Sequence, residues 1–368
     1  MSARVPMMDL KAHLRPMRAA ILKGWARTFD AGSFVNGPEM KAFEVEAAAY
    51  AGVKHAIACN SGTDALVLLL RAHGIGPGDE VLVPAFSFFA TAEAVSLCGA
   101  RPVFCDIRDE DFLLDLGEVK KKLNARTKAV IPVHLFGLPM DLRPLKRLLK
   151  GRKVMILEDA AQAFGAPCGS GTAGGQADGG ALSFYPTKNL SACGDAGMVL
   201  CNDGKTALAV RQLREHGSLK RYHHDQIGYN SRMDELQAVA LRLKLPRLRA
   251  WTLARRRIAA TYLKGLAGLD LKLPYDSPHS VWHQFTLRIP GQGRRDALKE
   301  HLDQLGISTA VFYPIPMHQQ APYVAKAPRL PRAEAAAREV LSLPIFPEMK
   351  SDQITRVLRG VRTFYGRP

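Results

Sequence analysis

The sequence predicts an α/β protein: a mostly parallel central sheet flanked by helices, with a smaller α+β unit at its C-terminal end. Three observations carry this. Strand-like and helix-like segments alternate from residue 53 to about residue 201. The strand segments are continuously apolar, as strands covered on both faces are. Past Pro274 the pattern changes to a mixed one. A chain of 368 residues is also too long for one simple core. It divides into an N-terminal segment and large domain over 1–245 and a small C-terminal domain with its connecting helix over 246–368.

The elements follow in order. A helix is expected over 17–25, then a loop ending in Asn36-Gly37-Pro38. Residues 55–59 form a short apolar strand, residues 63–73 carry helical spacing, and Gly76-Pro77-Gly78-Asp79 is a turn. Strands at 81–83, 102–105, 129–133 and 154–157 alternate with helices at 90–98, 116–123 and 142–149. Two more strands fall at 181–184 and 198–201. A long basic helix runs from about 234 to 266, and Pro246 should kink or break it. In the small domain, 283–289 and 311–313 read as strands, and 294–305, 332–341 and 351–365 as helices.

Composition narrows the class. Apolar residues make up 47% and charged residues 23%, an ordinary soluble balance. No apolar run approaches the ~18 residues of a membrane span; the longest candidate is 65–70. The N-terminus reaches Asp9, Lys11 and His13 without an apolar stretch, which argues against a secretory signal. None of the six cysteines forms a C-x-x-C pair, so reduced, partly buried thiols in a cytoplasmic protein are expected. The histidines show no metal-ligand spacing, and no metal is expected. The formal charge is +17, and residues 211–264 hold 13 Lys or Arg against 4 Asp or Glu. Such a surplus serves nucleic acid, a membrane surface, an anionic small substrate or plain solvation. The aromatics Tyr222, Tyr229, Trp251 and Tyr262 do not interleave with the basic residues as a stacking platform does, so nucleic acid is disfavoured.

Three segments carry chemistry. In Lys153-Val154-Met155-Ile156-Leu157-Glu158-Asp159 an apolar strand runs into two carboxylates that point to opposite sides. One can meet a ligand at the strand end, the place where open α/β sheets bind ligands. In Ala181-Leu182-Ser183-Phe184-Tyr185-Pro186-Thr187-Lys188 the proline ends a strand and leaves Lys188 on a tight turn among Phe184, Tyr185 and Leu190. Burial there lowers an amine's pKa and makes it nucleophilic. Asn60-Ser61-Gly62-Thr63-Asp64 follows a strand and opens a helix, which is either a plain cap by Ser61 or Thr63 or an anion site. An amine, a carboxylate and an anion site together suit pyridoxal 5'-phosphate (PLP): the amine for its aldehyde, the carboxylate for its ring nitrogen, the helix start for its phosphate.

The string resembles the DegT/DnrJ/EryC1/StrS family of sugar aminotransferases. The resemblance runs almost end to end, through Asn60-Ser61-Gly62-Thr63-Asp64-Ala65-Leu66, Gly76-Pro77-Gly78-Asp79-Glu80-Val81, Gly99-Ala100-Arg101-Pro102-Val103-Phe104, Pro132-Val133-His134-Leu135-Phe136-Gly137 and Glu158-Asp159-Ala160-Ala161-Gln162. It continues in Pro186-Thr187-Lys188-Asn189-Leu190, Tyr229-Asn230-Ser231-Arg232-Met233-Asp234-Glu235 and Tyr313-Pro314-Ile315-Pro316-Met317-His318. It implies the PLP-dependent transferase fold type I and amino transfer, in two half-reactions, from glutamate to a nucleotide-linked keto-sugar. By the same resemblance, Lys188 is the Schiff-base lysine and Asp159 the partner of the pyridine nitrogen. Gln162 and Phe88 lie against the two faces of the cofactor ring, and Gly62, Thr63 and Ser183 contact the phosphate. Asn230 reaches the phosphate in the neighbouring subunit, which implies a homodimer with shared active sites. Tyr313 and His318 stand near the sugar, and Tyr222 and Arg232 approach from the partner subunit.

Two departures from the family pattern stand out. Ser87-Phe88 replaces a common Thr-Phe and keeps a hydroxyl. Gly194-Asp195-Ala196-Gly197 carries Ala196 where a glycine is usual, which is strained if the position needs positive φ. The competing readings are a sugar dehydratase on the same fold, whose members typically replace the lysine, and a non-catalytic regulatory or nucleic-acid-binding member. The retained Lys188 weighs against the first, and the complete set of Lys188, Asp159, Gln162 and Ser183 against the second.

Overall fold

The computed structural model describes residues 4–367. Its main sheet is formed by β1 (His55–Cys59), β2 (Glu80–Pro84), β3 (Arg101–Cys105), β4 (Thr127–Val130) and β5 (Met155–Asp159). After a two-residue ladder of β6 (Pro167–Cys168) with β7 (Gly171–Thr172), the strands β8 (Gly179–Ser183) and β9 (Gly197–Cys201) complete it. The order is β1-β9-β8-β5-β4-β2-β3. The neighbours from β8 to β3 pair in parallel, whereas β9 is antiparallel to both β8 and β1. The mostly parallel sheet is as predicted, with β9 as its one reversed strand.

Both faces of the sheet are covered, which is why its strands read as unbroken apolar runs. Alternate side chains enter opposite cores. Ala181 and Val199 join the cluster that contains Leu66, Leu69 and Leu70 of α4. Leu182, Met198 and Leu200 join the one that contains Phe43, Ala47 and Phe164. The helices before α4 are α1 (Leu10–Leu14), α2 (Arg18–Ala31) and α3 (Pro38–Ala51), and α4 itself spans Gly62–Ala72. The sequence predicts the first of these helices only over 17–25 and does not predict α3, although Pro38 at its first position and left-handed Gly52 just past its end mark both boundaries. Then come α5 (Ala90–Leu97), α6 (Leu116–Lys122), α7 (Arg143–Leu148) and α8 (Gly204–Arg214), which is capped by Asp203 and was likewise not anticipated.

The long basic helix is divided at Pro246, as expected. α9 (Glu235–Lys244) passes through a 3-10 turn over Leu245–Arg247 into α10 (Leu248–Leu266). Between α8 and α9 lies a hairpin of β10 (Ser218–Lys220) and β11 (His223–His224). A third core gathers Tyr262, Phe285, Leu298, Leu341 and Val357 from α10, α11 (Arg294–Gln304), α13 (Ser351–Phe364) and the pair β12 (Phe285–Arg288)–β13 (Val340–Leu343). Val5 belongs to this core and bridges to Ile307.

Two expectations are corrected. The helix predicted over 332–341 is α12 (Pro331–Glu339), which stops where the fully buried Val340–Leu343 becomes a strand. Residues 311–313 form no strand; only Ala310 pairs, with Ser342. Pro314 and Pro316 follow, and neither has an N–H to extend a ladder.

Much of the basic surplus in 211–264 is used inside the fold. Arg211 and Arg214 hold Glu44 at 2.7 and 2.9 Å, and Arg242 pairs with Glu39 and Glu46. Buried Lys244 donates to the Ser191 carbonyl at 2.7 Å, and buried Arg255 to the Ile345 carbonyl at 2.6 Å. The six cysteines are free, and no helix among the described residues is long and apolar enough to cross a membrane.

Candidate active site

The two carboxylates at the end of β5 divide their work by the alternation of the strand. Glu158 is fully buried and turned away from the cavity. It accepts from the backbone N–H groups of Gly174, Gln176 and Ala177 at 2.7–2.9 Å and from His134 Nε2 at 2.8 Å. His134 Nδ1 accepts from the Met140 N–H at 2.9 Å, so the ring hydrogen sits on Nε2 and points at Glu158. Asp159 faces the other way and lines a cavity of about 510 Å³. Its Oδ2 accepts from the Thr91 hydroxyl at 2.7 Å and its Oδ1 from the Ala161 N–H at 3.2 Å.

Lys188 enters the same cavity from the turn after β8, closed by its own N–H on the Tyr185 carbonyl at 2.8 Å. The turn is tethered from below. Asn189 is buried and donates through Nδ2 to the Val281 carbonyl at 3.1 Å. This leaves Asn189 Oδ1 to accept from His283 Nδ1, also at 3.1 Å. Burial pushes the Lys188 ammonium down to about 8, against the opposing pull of Asp159. Burial, reinforced by the charges of Lys188 and Arg255, holds His283 well below its ordinary value, so it is neutral.

The anion cup is built at the start of α4. Ser61 caps the helix, accepting from the Asp64 N–H at 3.0 Å. Ser61, Gly62 and Thr63 line the cavity with a helical first turn whose N–H groups have no partner inside the helix. A cap and an anion site are therefore compatible at this helix start. Gly62 is required by close approach: a Cβ there would lie 2.7 Å from the Ser183 Cβ. Ser183 pairs with Gly197, and Gly197 with Cys59, so the cup lies along one row of three neighbouring strands.

Flat side chains complete the cavity. Phe88 is 56% exposed on its wall, an unusual exposure for a phenylalanine. Its ring centroid lies 6.0 Å from that of Tyr313. Gln162 is clamped, accepting from the Phe136 N–H at 2.7 Å and donating to the Tyr313 hydroxyl at 3.0 Å. Burial raises the Tyr313 phenol above its ordinary range, so it stays protonated. This cavity gathers the amine, carboxylate, anion cup and aromatic face that PLP requires, and the Gly62 cradle leaves room for a phosphate close to the backbone.

The comparisons with known proteins agree with this geometry. Residues 17–362 match the DegT/DnrJ/EryC1/StrS aminotransferase family. The chain belongs to this family. It is 47% identical to a UDP-N-acetyl-3-dehydro-alpha-D-glucosamine 3-aminotransferase of Acidithiobacillus ferrooxidans, over 98% of both chains. It is 46% identical to a dTDP-3-amino-3,4,6-trideoxy-alpha-D-glucose transaminase of Streptomyces venezuelae, over 98% of this chain and 96% of that one. Among solved structures, S. venezuelae DesV in complex with a ketimine intermediate superposes over 100% of both chains with a TM-score of 0.96 at 45% identity. A Bacillus subtilis relative with bound cofactor PMP superposes with a TM-score of 0.93 at 30% identity, over 100% of this chain and 86% of that one. The protein is a PLP-dependent aminotransferase.

Of the residues the sequence singled out, Gly62, Thr63, Phe88, Asp159, Gln162, Ser183, Lys188 and Tyr313 meet in this cavity. Four do not. His318 is fully enclosed, 3.5 Å from Glu334 Oε1 and against the Phe104 ring, because the 3-10 turn at Met317–Gln319 carries it inward. Tyr222 is 79% exposed on the β10–β11 hairpin, with Arg221 over its ring. Asn230 is exposed and bridges to Glu215, and Arg232 pairs with Glu215 at 3.5 Å. The reading of Ala196 is settled by its backbone: it is buried and is not among the positive-φ residues, so its methyl group causes no strain. Ser87, Thr91, Tyr185, His283 and Gln284 are not among the site residues the sequence singles out. Four of these line the cavity, and Thr91 stands behind Asp159. His283, a histidine beginning an apolar strand-like run, carried the one signal that could have been weighed.

Proposed function

We propose that this aminotransferase moves the amino group of glutamate to C3 of a nucleotide-linked 3-keto sugar, as a homodimer with shared active sites, in the cytoplasm. The observation that carries amino transfer is Lys188: a cavity-lining amine, brought down to about 8 by burial, in the same cavity as Asp159. Such an amine is about one-tenth unprotonated at pH 7 and about half at pH 8, a far larger share than for an ordinary lysine, which fits it to take a proton from a substrate carbon and return it. When bound, PLP supplies a ring that accepts the electron pair left on that carbon. In this cavity Asp159 would present its charge to the ring nitrogen, the cup at Gly62–Thr63 and Ser183 would hold the phosphate, and Phe88 would cover one face against water.

Position C3 is supported by the two relatives above, whose names both place the amino group at carbon 3. The shared-site dimer is supported by what the single chain leaves outside its own cavity: Asn230, Tyr222 and Arg232 lie on one segment beside exposed Ile227 and Leu219. On this reading they serve the partner subunit's cavity, and the remaining exposed cations steer the nucleotide diphosphate. Free thiols support the compartment.

The test supplies purified enzyme with glutamate and UDP- or dTDP-linked 3-keto and 4-keto sugars, and follows the oxo-acid released and the amino sugar formed. Turnover with a 3-keto sugar, lost in Lys188→Ala, is the expected result. Turnover only with 4-keto sugars refutes the position, and dehydration without oxo-acid refutes amino transfer. Mixing Lys188→Ala with Asn230→Ala subunits should restore activity through hybrid dimers; failure to do so refutes the sharing.

A further inference from the structure

Thr91 lies in the first turn of α5 and is completely buried. Other threonines of this chain send their hydroxyls to the carbonyl one helical turn back, as Thr28 does to Gly24, Thr261 to Arg257 and Thr355 to Ser351. That is the ordinary way for a helical threonine to be satisfied. Thr91 instead reaches across to β5 and donates to Asp159 Oδ2 at 2.7 Å. The Ser87 hydroxyl, four residues earlier and itself buried, lies 2.9 Å from the Thr91 oxygen.

The direction of the chain is fixed by its end. An ionised carboxylate only accepts, so the Thr91 proton belongs to Asp159. The Thr91 oxygen then accepts from Ser87, whose own proton is turned away from the cavity that Ser87 lines. The opposite direction requires a protonated Asp159, which has no charge to offer a ring nitrogen. The same short segment also sets Phe88, since the Thr91 N–H donates to the Phe88 carbonyl at 3.2 Å.

We propose that Thr91, oriented by Ser87, is a positioning residue that fixes the Asp159 carboxylate and through it determines how firmly the cofactor's ring nitrogen is held protonated. This rests on the pairing of Asp159 with that nitrogen. Without the Thr91 hydroxyl, Oδ2 keeps its charge but loses the contact that aims it. The ring then becomes a weaker electron acceptor, as it does when Asp159 itself is neutralised.

The experiment uses the PLP-loaded enzyme and reads the pH midpoint of the bound cofactor's visible absorbance together with kcat and KM. Thr91→Val removes the donor at nearly constant shape. It is expected to move the midpoint by about one pH unit, in the same direction as Asp159→Asn and by less, and to lower kcat about tenfold with KM changed under about threefold. Thr91→Ser restores the hydroxyl and is expected to return both readouts to near wild type. A wild-type midpoint in Thr91→Val, or equal impairment in Thr91→Ser, overturns the proposal. Should Thr91→Val not fold, Ser87→Ala carries the test: it is expected to shift the midpoint the same way, and an unchanged midpoint overturns the proposal. An unmoved midpoint in Asp159→Asn refutes the pairing on which the proposal rests. A shift in Asp159→Asn with none in Thr91→Val refutes Thr91 alone.

Discussion

Replacing Glu158 by Gln tests the division of labour between the two adjacent carboxylates. The change keeps size and shape but turns one oxygen into an NH2 group. Each Glu158 oxygen accepts from two donors: Oε2 from His134 Nε2 and Gly174 N, Oε1 from Gln176 N and Ala177 N. Whichever oxygen is lost, two buried donors then face another donor. His134 cannot escape by moving its hydrogen, because Nδ1 is committed to the Met140 N–H. An unsatisfied buried donor costs about 1–3 kcal/mol, so two cost about 2–6 kcal/mol. At about 2 °C per kcal/mol for a chain of this size, the apparent Tm should fall by roughly 4–12 °C. The assay is a thermal scan at fixed rate and fixed PLP concentration, with the cofactor's absorbance recorded at low temperature. Glu158→Gln should bind PLP with wild-type absorbance below its lowered transition. Asp159→Asn should show the converse, a wild-type transition in the apo-enzyme with altered cofactor absorbance. A Glu158→Gln protein that melts within about 1 °C of wild type refutes the assignment of Glu158 to the fold.

Four further outcomes follow from the site. In the apo-enzyme, Lys188 should react with amine-acylating reagents along a curve centred near pH 8; a curve centred near 10.5 removes the case for its burial. Because its folded value lies below its unfolded one, Lys188 opposes folding most fully below pH 8. The apo-enzyme should regain that contribution as pH rises from about 8 toward 10.5, and Lys188→Met should flatten this part of the stability profile. Gly62→Ala sets a methyl group 2.7 Å from the Ser183 Cβ and should weaken PLP binding at least tenfold in a cofactor titration; unchanged binding means that the cup is not where the phosphate sits. Ala196→Gly should cost stability by about 0.5–1 kcal/mol rather than add to it, since Ala196 has no positive φ to relieve.

The sheet was legible because covered parallel strands announce themselves as apolar runs, and the helix break was legible because Pro246 has no N–H. Lys188, Asp159 and Gly62 were legible because each stands at the end of such a strand or the start of a helix. The missed features have other origins. Thr91 acts through a partner 68 residues away, and nothing local marks a threonine as bonded outward rather than to its own helix. The reversal of β9 was invisible because a buried strand is equally apolar whichever way it runs. The inward turn of His318 depends on Phe104 and Glu334, which its own neighbours do not specify.

The reversed strand also explains why the site is so compact. A parallel successor to β8 would need a crossover carried over one face of the sheet to its opposite end, away from the lysine turn. β9 instead returns beside β8 after the thirteen residues from 184 to 196, and those residues form the lysine turn itself. The register sets Gly197 opposite both Ser183 and Cys59, so the strand that comes back from Lys188 lies against the backbone that opens α4. A side chain at 197 would meet the Ser61 carbonyl. The lysine thus lies in the loop of the β8–β9 hairpin and the cup at the helix start against which β9 packs, so strand pairing fixes their separation. Lengthening that hairpin by two residues keeps every side chain named here but should uncouple the Lys188 amine from the phosphate cup. PLP would still bind through its phosphate, and the covalent band that marks its attachment to Lys188 would be lost.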